Sequence, residues 1–211
     1  MARPGTAAVI VAAAVLAVTA VPARDLDPVS VEARLEYLLR RSDAGTVPTP
    51  MLVAMLRDPY PETRIFALRV VAAAADPNQA LLLPEFLADR DFRVRYQAMV
   101  AAGRFGPKGL AVALTGLGDP IARVRQAAAW AACHGGDEAL KPLLARLERE
   151  PDLGVEATAV ANLWRFGPGP WLDAAVAAAA DPEPQLRRAA AYALGRDDRP
   201  GARAALRRLA S

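Results

Sequence analysis

Cys133 and His134 are the chain's only cysteine and only histidine, and they stand side by side in GDPIARVRQAAAWAACHGG, Gly118 to Gly136. A thiol beside an imidazole can be a nucleophile with its base, or two ligands of a metal. Two features count against both. Adjacent residues of a helix point ~100° apart, so the pair does not face one target. Two ligands without a further cysteine or histidine also close no metal site. Elsewhere there is no glycine-rich phosphate loop, no His-Glu-X-X-His and no nucleophile elbow. The carboxylates mostly stand at Asp-Pro corners, where helix capping accounts for them. The sequence therefore offers no catalytic residue, metal ligand, cofactor site or small-molecule substrate.

The elements that would position this pair repeat along the chain. Asp58-Pro59, Asp89, Asp119-Pro120, Glu150-Pro151 and Asp181-Pro182 are spaced by 31, 30, 31 and 31 residues. Six residues after each acid come Arg64, Arg95, Arg125, Glu156 and Arg187. Three further on stand Ala67, Ala98, Ala128, Ala159 and Ala190. A period in this range signals a solenoid of stacked supersecondary units.

Each unit reads as two helices. The first are MLVAMLR from Met51, ALLLPEFLA from Ala80, LAVALTGL from Leu110, ALKPLLARLE from Ala139 and WLDAAVAAAA from Trp171. The corner proline ends that helix, the acid caps the next one, and the proline takes an early position within it. The second helix runs through RVRQAAAWAA or its equivalent to Gly106, Gly136 and Gly167, with Gly195 one turn earlier. The invariant alanine lets neighbouring helices approach closely. The segment from Asp27, DPVSVEARLEYLLRR, reads as a degenerate half-repeat opening the array, and Pro200 to Ala210 as a half-repeat closing it with a polar outer face. The expectation is an all-α protein, an α-solenoid of about five helical hairpins over residues 24–211 with a half-repeat at each end.

Composition agrees. Aromatic residues make up 6% of the chain and alanine is abundant, which suits close-packed helices better than sheets. Arginine supplies 24 of the 26 basic residues, yet the formal net charge is only +3, so no strong field surrounds the molecule. The charge is uneven. Residues 185–211 hold seven arginines against two aspartates, a local +5, whereas residues 24–184 carry 18 basic and 21 acidic groups, or −3. One cysteine makes no internal disulfide. Residues 1–23 have the layout of a secretory signal: Arg3, an uncharged run from Thr6 to Val21, and Val-Pro-Ala before a cut after Ala23. That predicts a secreted or periplasmic protein. Retention of the apolar run would instead tether the chain to a membrane.

The apolar helix, Asp-Pro corner, Val-Arg and alanine-rich second helix resemble HEAT repeats, in particular the short form called phycobilisome-lyase HEAT-like. The resemblance covers about residues 27–210, and DPIARVRQAAAWAA matches best. It implies a ladder in which corner Asp and repeat Arg link successive units. Glu156 interrupts that pattern, so a looser joint or a compensating partner is expected there.

The repeat settles the opening pair. Cys133 holds the eighth position past the repeat arginine, where the other units have Ala72, Gly103, Trp164 and Gly195. A cysteine in a mostly small slot behaves as a small buried apolar group. His134 holds the ninth, alongside Ala73, Arg104, Arg165 and Arg196, a basic column near a helix end. In HEAT-like arrays the second helices line the concave side, and positions one, five and nine share a face. That face reads Ile65, Arg69 and Ala73; Tyr96, Val100 and Arg104; Gln126, Trp130 and His134; Ala157, Ala161 and Arg165; and Arg188, Tyr192 and Arg196. Aromatics and arginines anchor protein interfaces, so the candidate partner-binding residues are Arg69, Tyr96, Arg104, Gln126, Trp130, His134, Arg165, Arg188, Tyr192 and Arg196. Trp164 and Trp171 are expected in the core or in seams between units.

The function this implies is an exported, non-catalytic scaffold that holds a protein partner on its concave face. The resemblance also carries enzymatic alternatives, a bilin lyase-like or a DNA glycosylase-like activity, but by scaffold alone. Both activities belong inside the cell, so the export signal opposes them and disfavours nucleic acid as a partner. The basic C-terminal end suits acidic proteins or anionic lipid headgroups.

Overall fold

In the computed structural model, residues 49–74, 76–167 and 169–209 are described. The expected signal segment and the opening half-repeat lie outside them. The chain divides into two compact units, residues 1–70 and 71–211. The first contains α1 (Thr49–Leu56) and the opening turns of α2 (Pro61–Ala74). Its core is Leu52, Val53, Met55, Leu56, Ala67, Leu68 and Val70.

The second unit is a succession of hairpins. A 3₁₀ helix, Gln79–Ala88, precedes α3 (Phe92–Arg104). Then come α4 (Leu110–Gly116) with α5 (Ala122–Ala132), and α6 (Leu140–Leu147) with α7 (Leu153–Asn162). The last hairpin is α8 (Trp171–Ala179) with α9 (Pro184–Arg196), followed by α10 (Pro200–Leu209). The second helices α3, α5, α7 and α9 pack one on the next, and α4 and α8 pack against α5 and α9. This is an all-α solenoid, with no strand among the described residues. None of the described helices is long and apolar enough to cross a membrane.

Three local readings of the sequence are corrected. The first helix of the Ala80 unit is a 3₁₀ helix, because Pro84 sits inside it and cannot donate an i→i−4 bond. The corner acids do not cap the helix. Each accepts the backbone N–H two residues on: Asp58 from Tyr60, Asp89 from Asp91, Asp119 from Ile121, Glu150 from Asp152 and Asp181 from Glu183, at 2.8–3.1 Å. That side-chain turn delivers the chain to the N-cap, where Asp91 and Asp152 do the capping in two of the units. The corner prolines accordingly precede the helices, and Pro61 and Pro184 open α2 and α9. At the far ends, Gly106 and Gly136 adopt φ of 55° and 94°, which only glycine takes without strain. Gly195 lies within α9.

The repeat alanines explain the close stacking. Ala98, Ala128, Ala159 and Ala190 are all fully buried, as is Ala67 in the first unit. The repeat arginines lock the register. Arg95 donates to the Asp89 carbonyl of its own corner at 2.8 Å and to both carboxylate oxygens of Asp119 at 2.6 and 3.0 Å. Arg125 does the same with the Asp119 carbonyl at 2.9 Å and with Glu150 at 2.8–3.2 Å. Arg146 adds a second hold, pairing with Glu150 at 3.1 Å and donating to the Leu117 carbonyl at 2.9 Å. Burial alone would raise the pKa of Glu150. The hydrogen bonds from Arg125 and the Asp152 N–H, with the charges of Arg125 and Arg146, turn the shift downward. The stability this supplies is complete above the ordinary glutamate pKa and drains away as pH falls through the lowered one.

The next joint lacks its arginine. Burial and the neighbouring carboxylates Asp181 and Glu150 raise the pKa of Glu156. The joint is held from the other end of the helices instead. Arg199 donates to the Phe166 carbonyl at 3.2 Å, and Arg196 of α9 lies over Trp164, 4.8 Å from the ring centre. Replacing Glu156 by arginine restores the missing rung to Asp181. Thermal or urea unfolding should then show a gain of about 1 kcal/mol, with Glu156→Gln gaining less. A loss of stability in Glu156→Arg would contradict this account of the joint.

Candidate functional site

The candidate face is assembled from the second helices of the 71–211 unit. Tyr96, Val100 and Arg104 of α3, Gln126, Ala127 and Trp130 of α5, and Thr158 of α7 line one groove of about 410 Å³. Four of the ten residues chosen from the sequence are thus neighbours there: Tyr96, Arg104, Gln126 and Trp130. Gln126 bridges to the next helix, donating to Thr158 Oγ1 at 2.9 Å and to the Gly154 carbonyl at 3.4 Å, so its amide is partly committed to the fold.

Trp130 is held by what lies beneath and beside it. Gly103 of α3 faces its six-membered ring so closely that a Cβ there would overlap Cζ3. The small eighth position of one unit thus makes room for the aromatic fifth position of the next. On the other side His134 lies against Trp130 with the rings tilted by 45° and their centres 4.3 Å apart, and with Nδ1 2.8 Å from the Trp130 carbonyl. That carbonyl needs a donor, so in the neutral ring Nδ1 carries the proton and Nε2 is the acceptor. Burial lowers the His134 pKa. The carbonyl bond opposes that shift, while the charges of Arg165 and Arg104 reinforce it. His134 is therefore neutral at pH 7, an uncharged member of an otherwise cationic column.

The column continues. Arg165 and Arg196 both lie over the ring of Trp164, at 4.6 and 4.8 Å from its centre. Trp164 is half-buried and belongs to this surface as much as to the seam, whereas Trp171 is a core residue, 1% exposed. Tyr192 is 55% exposed on α9, and Arg188 is exposed on the same helix. Arg69 belongs to the first unit, where it is exposed on α2. Arg123, not among the residues chosen from sequence, places its guanidinium 5.5 Å from the centre of the Tyr96 ring. Arg123 and Thr158 escaped notice because each enters the face of a neighbouring helix, off the one-five-nine row of its own.

The face arginines differ from the ladder arginines in their partners. Arg95 and Arg125 are nearly buried and each holds a carboxylate. Arg104, Arg123, Arg165, Arg188 and Arg196 are all exposed, and none pairs with a carboxylate among the described residues. A second cavity, about 330 Å³, lies against Asp89, Arg95 and Asp119 and is part of the ladder. No group of three potential metal ligands occurs among the described residues.

Cys133 is 3% exposed, with its thiol directed at the Ala159 carbonyl at 3.9 Å. Burial pushes its pKa up to about 12, and the charge of Arg165 offsets that only in part. A thiolate is the reactive form, so this cysteine fills a packing slot.

The comparisons with known proteins agree with the architecture. The sequence pattern of the family described as HEAT repeats matches residues 49–133 and 140–211. The crystal structure of an engineered protein superposes with a TM-score of 0.52 at 17% identity, covering 91% of this chain and 97% of that one. At that identity the likeness concerns the fold alone. No curated protein matches the sequence.

Cys133 should resist a thiol reagent such as an aromatic disulfide in the native protein from pH 7 to pH 9, and react at once in denaturant. Rapid native modification would contradict its burial.

Proposed function

The chain belongs to the HEAT-repeat family, and from that premise we propose that it is a non-catalytic docking scaffold whose second-helix face holds a protein partner. HEAT repeats form helical scaffolds that commonly mediate protein interaction. The single observation that carries the reading is the groove formed by Tyr96, Val100, Arg104, Gln126 and Trp130, flanked by arginines that have no carboxylate partner among the described residues. Tryptophan, tyrosine and arginine dominate the energetics of protein interfaces. Trp130 is already fixed by Gly103 and His134, so little side-chain entropy is lost when a partner covers it. The groove has apolar walls in Val100 and Ala127 and a cationic rim in Arg104, which suits an apolar anchor next to an anionic group.

Export is part of the proposal and rests on sequence. Arg3, the uncharged run Thr6 to Val21 and the small residues before Arg24 support a cleaved signal, and hence a secreted or periplasmic scaffold. A bilin lyase-like or glycosylase-like chemistry draws support only from the scaffold they share.

Two measurements test this. Replacing Trp130 and Arg104 together by alanine should weaken capture of the native partner at least ~10-fold, a hot-spot-sized effect, with the helical circular dichroism unchanged. Undiminished capture moves the site elsewhere. N-terminal sequencing of the mature protein should begin at Arg24; an intact Met1 in a membrane fraction would make the scaffold a tethered one.

A further inference from the structure

The arginines with no carboxylate partner among the described residues fall at regular intervals. Arg104, Arg165 and Arg196 hold the ninth position in three of four successive repeats, and His134 holds it in the fourth, each at or just past the end of its second helix. They form one run: Arg104 and Arg165 both act on His134, and Arg165 and Arg196 share the ring of Trp164. Packed helices lie ~8–10 Å apart, so the column presents one rung about once per helix diameter, a cation at each rung except that of His134. A chain in polyproline II conformation advances ~3.1 Å per residue with about three residues per turn, so every third side chain points the same way and meets the next helix.

We propose, resting on the docking face described above, that the occupant is an acidic segment of a partner protein that runs across the second helices in polyproline II conformation, with carboxylates about three residues apart received by the arginines of the ninth column. Arg104, Arg165 and Arg196 supply planar, exposed guanidinium groups suited to carboxylates. Two of the three, Arg165 and Arg196, lie over the Trp164 ring, which limits their freedom before binding. The neutral His134 leaves one rung without a cation.

Single-stranded nucleic acid is the competing polyanion, and two observations place it second. It binds by stacking bases on free aromatic faces, but here the rings of Tyr96, Trp130 and Trp164 already carry Arg123, His134, and Arg165 with Arg196. Nor does a formal net charge of +3 on 211 residues make the broad basic field that a phosphate backbone rewards.

The test uses the full-length protein and labelled Gly-Ser peptides about ten residues long, long enough to cross the column. One carries aspartate at every third residue. A second has the same composition with its aspartates adjacent, a third has lysine at every third residue, and oligo(dT) is the nucleic-acid probe. At low ionic strength the spaced acidic peptide should bind about tenfold tighter than the clustered one. Arg165→Glu should lower its affinity about tenfold, and His134→Arg, which fills the missing rung with the residue its neighbours carry, should raise it severalfold. Equal binding of spaced and clustered acids, equal binding of the lysine peptide, or tighter binding of oligo(dT) overturns the proposal. If the Trp130 and Arg104 substitutions abolish partner capture while spaced acids show no advantage, the docking face stands and this inference alone fails. If capture survives those substitutions, the docking face itself is wrong.

Discussion

The repeat arginine is the joint on which the architecture turns. Its guanidinium holds the backbone carbonyl of its own corner and, at the same time, the acid of the next corner, as Arg95 does with Asp89 and Asp119 and Arg125 with Asp119 and Glu150. The acid in turn accepts the backbone N–H two residues on, so a single carboxylate shapes one turn and fastens the preceding repeat to it. Both charges are largely withdrawn from water, and removing either partner would leave the other buried and uncompensated. A slip by one residue would break both ends of the joint together. The fully buried alanines three residues later allow the helices to close to the distance at which the arginine reaches.

Register of this kind gives every slot its meaning. Cys133 and His134 look like chemistry when read as a pair, but each inherits its role from the column it stands in. At the eighth position the cysteine, like Gly103 of the preceding unit, is withdrawn into the seam, so it is buried and its thiol held protonated. The ninth lies at the edge of the face, so the histidine rests against Trp130 and shares its surroundings with two arginines. The same logic separates arginines of identical type. Arg95 and Arg125, six residues past the corner acid, are enclosed and each spent on a carboxylate; Arg104, nine residues past Arg95, is open to solvent and pairs with no carboxylate among the described residues. Stability is thereby assigned to one column of the repeat and the exposed face to another, so the face can vary without loosening the stack.

Glu156 shows how far the stack depends on any one joint. There the ladder presents two carboxylates to each other instead of an ion pair, and the hairpins still pack, because contacts at the opposite end of the helices take over. In a solenoid each unit meets only its neighbours, so one weak rung is a local cost.

The hairpin period, the invariant alanines, the burial of Cys133 and the face shared by Tyr96, Arg104 and Trp130 were all legible in the sequence. Each follows from spacing along a regular helix, repeated often enough for the slots to be compared. What escaped that reading lies between units or below the resolution of a pattern. Pro84 tightens its helix into 3₁₀ form, and the corner acids act two residues ahead of the N-cap. Arg123 reaches back to Tyr96, Gly103 yields space to Trp130, and Trp164 sits beneath arginines from its own unit and the next. Periodicity decides which residues share a helix face, because the backbone alone imposes it. Which side chain covers which depends on how far each leans across to the neighbouring helix, and only the packed structure decides that.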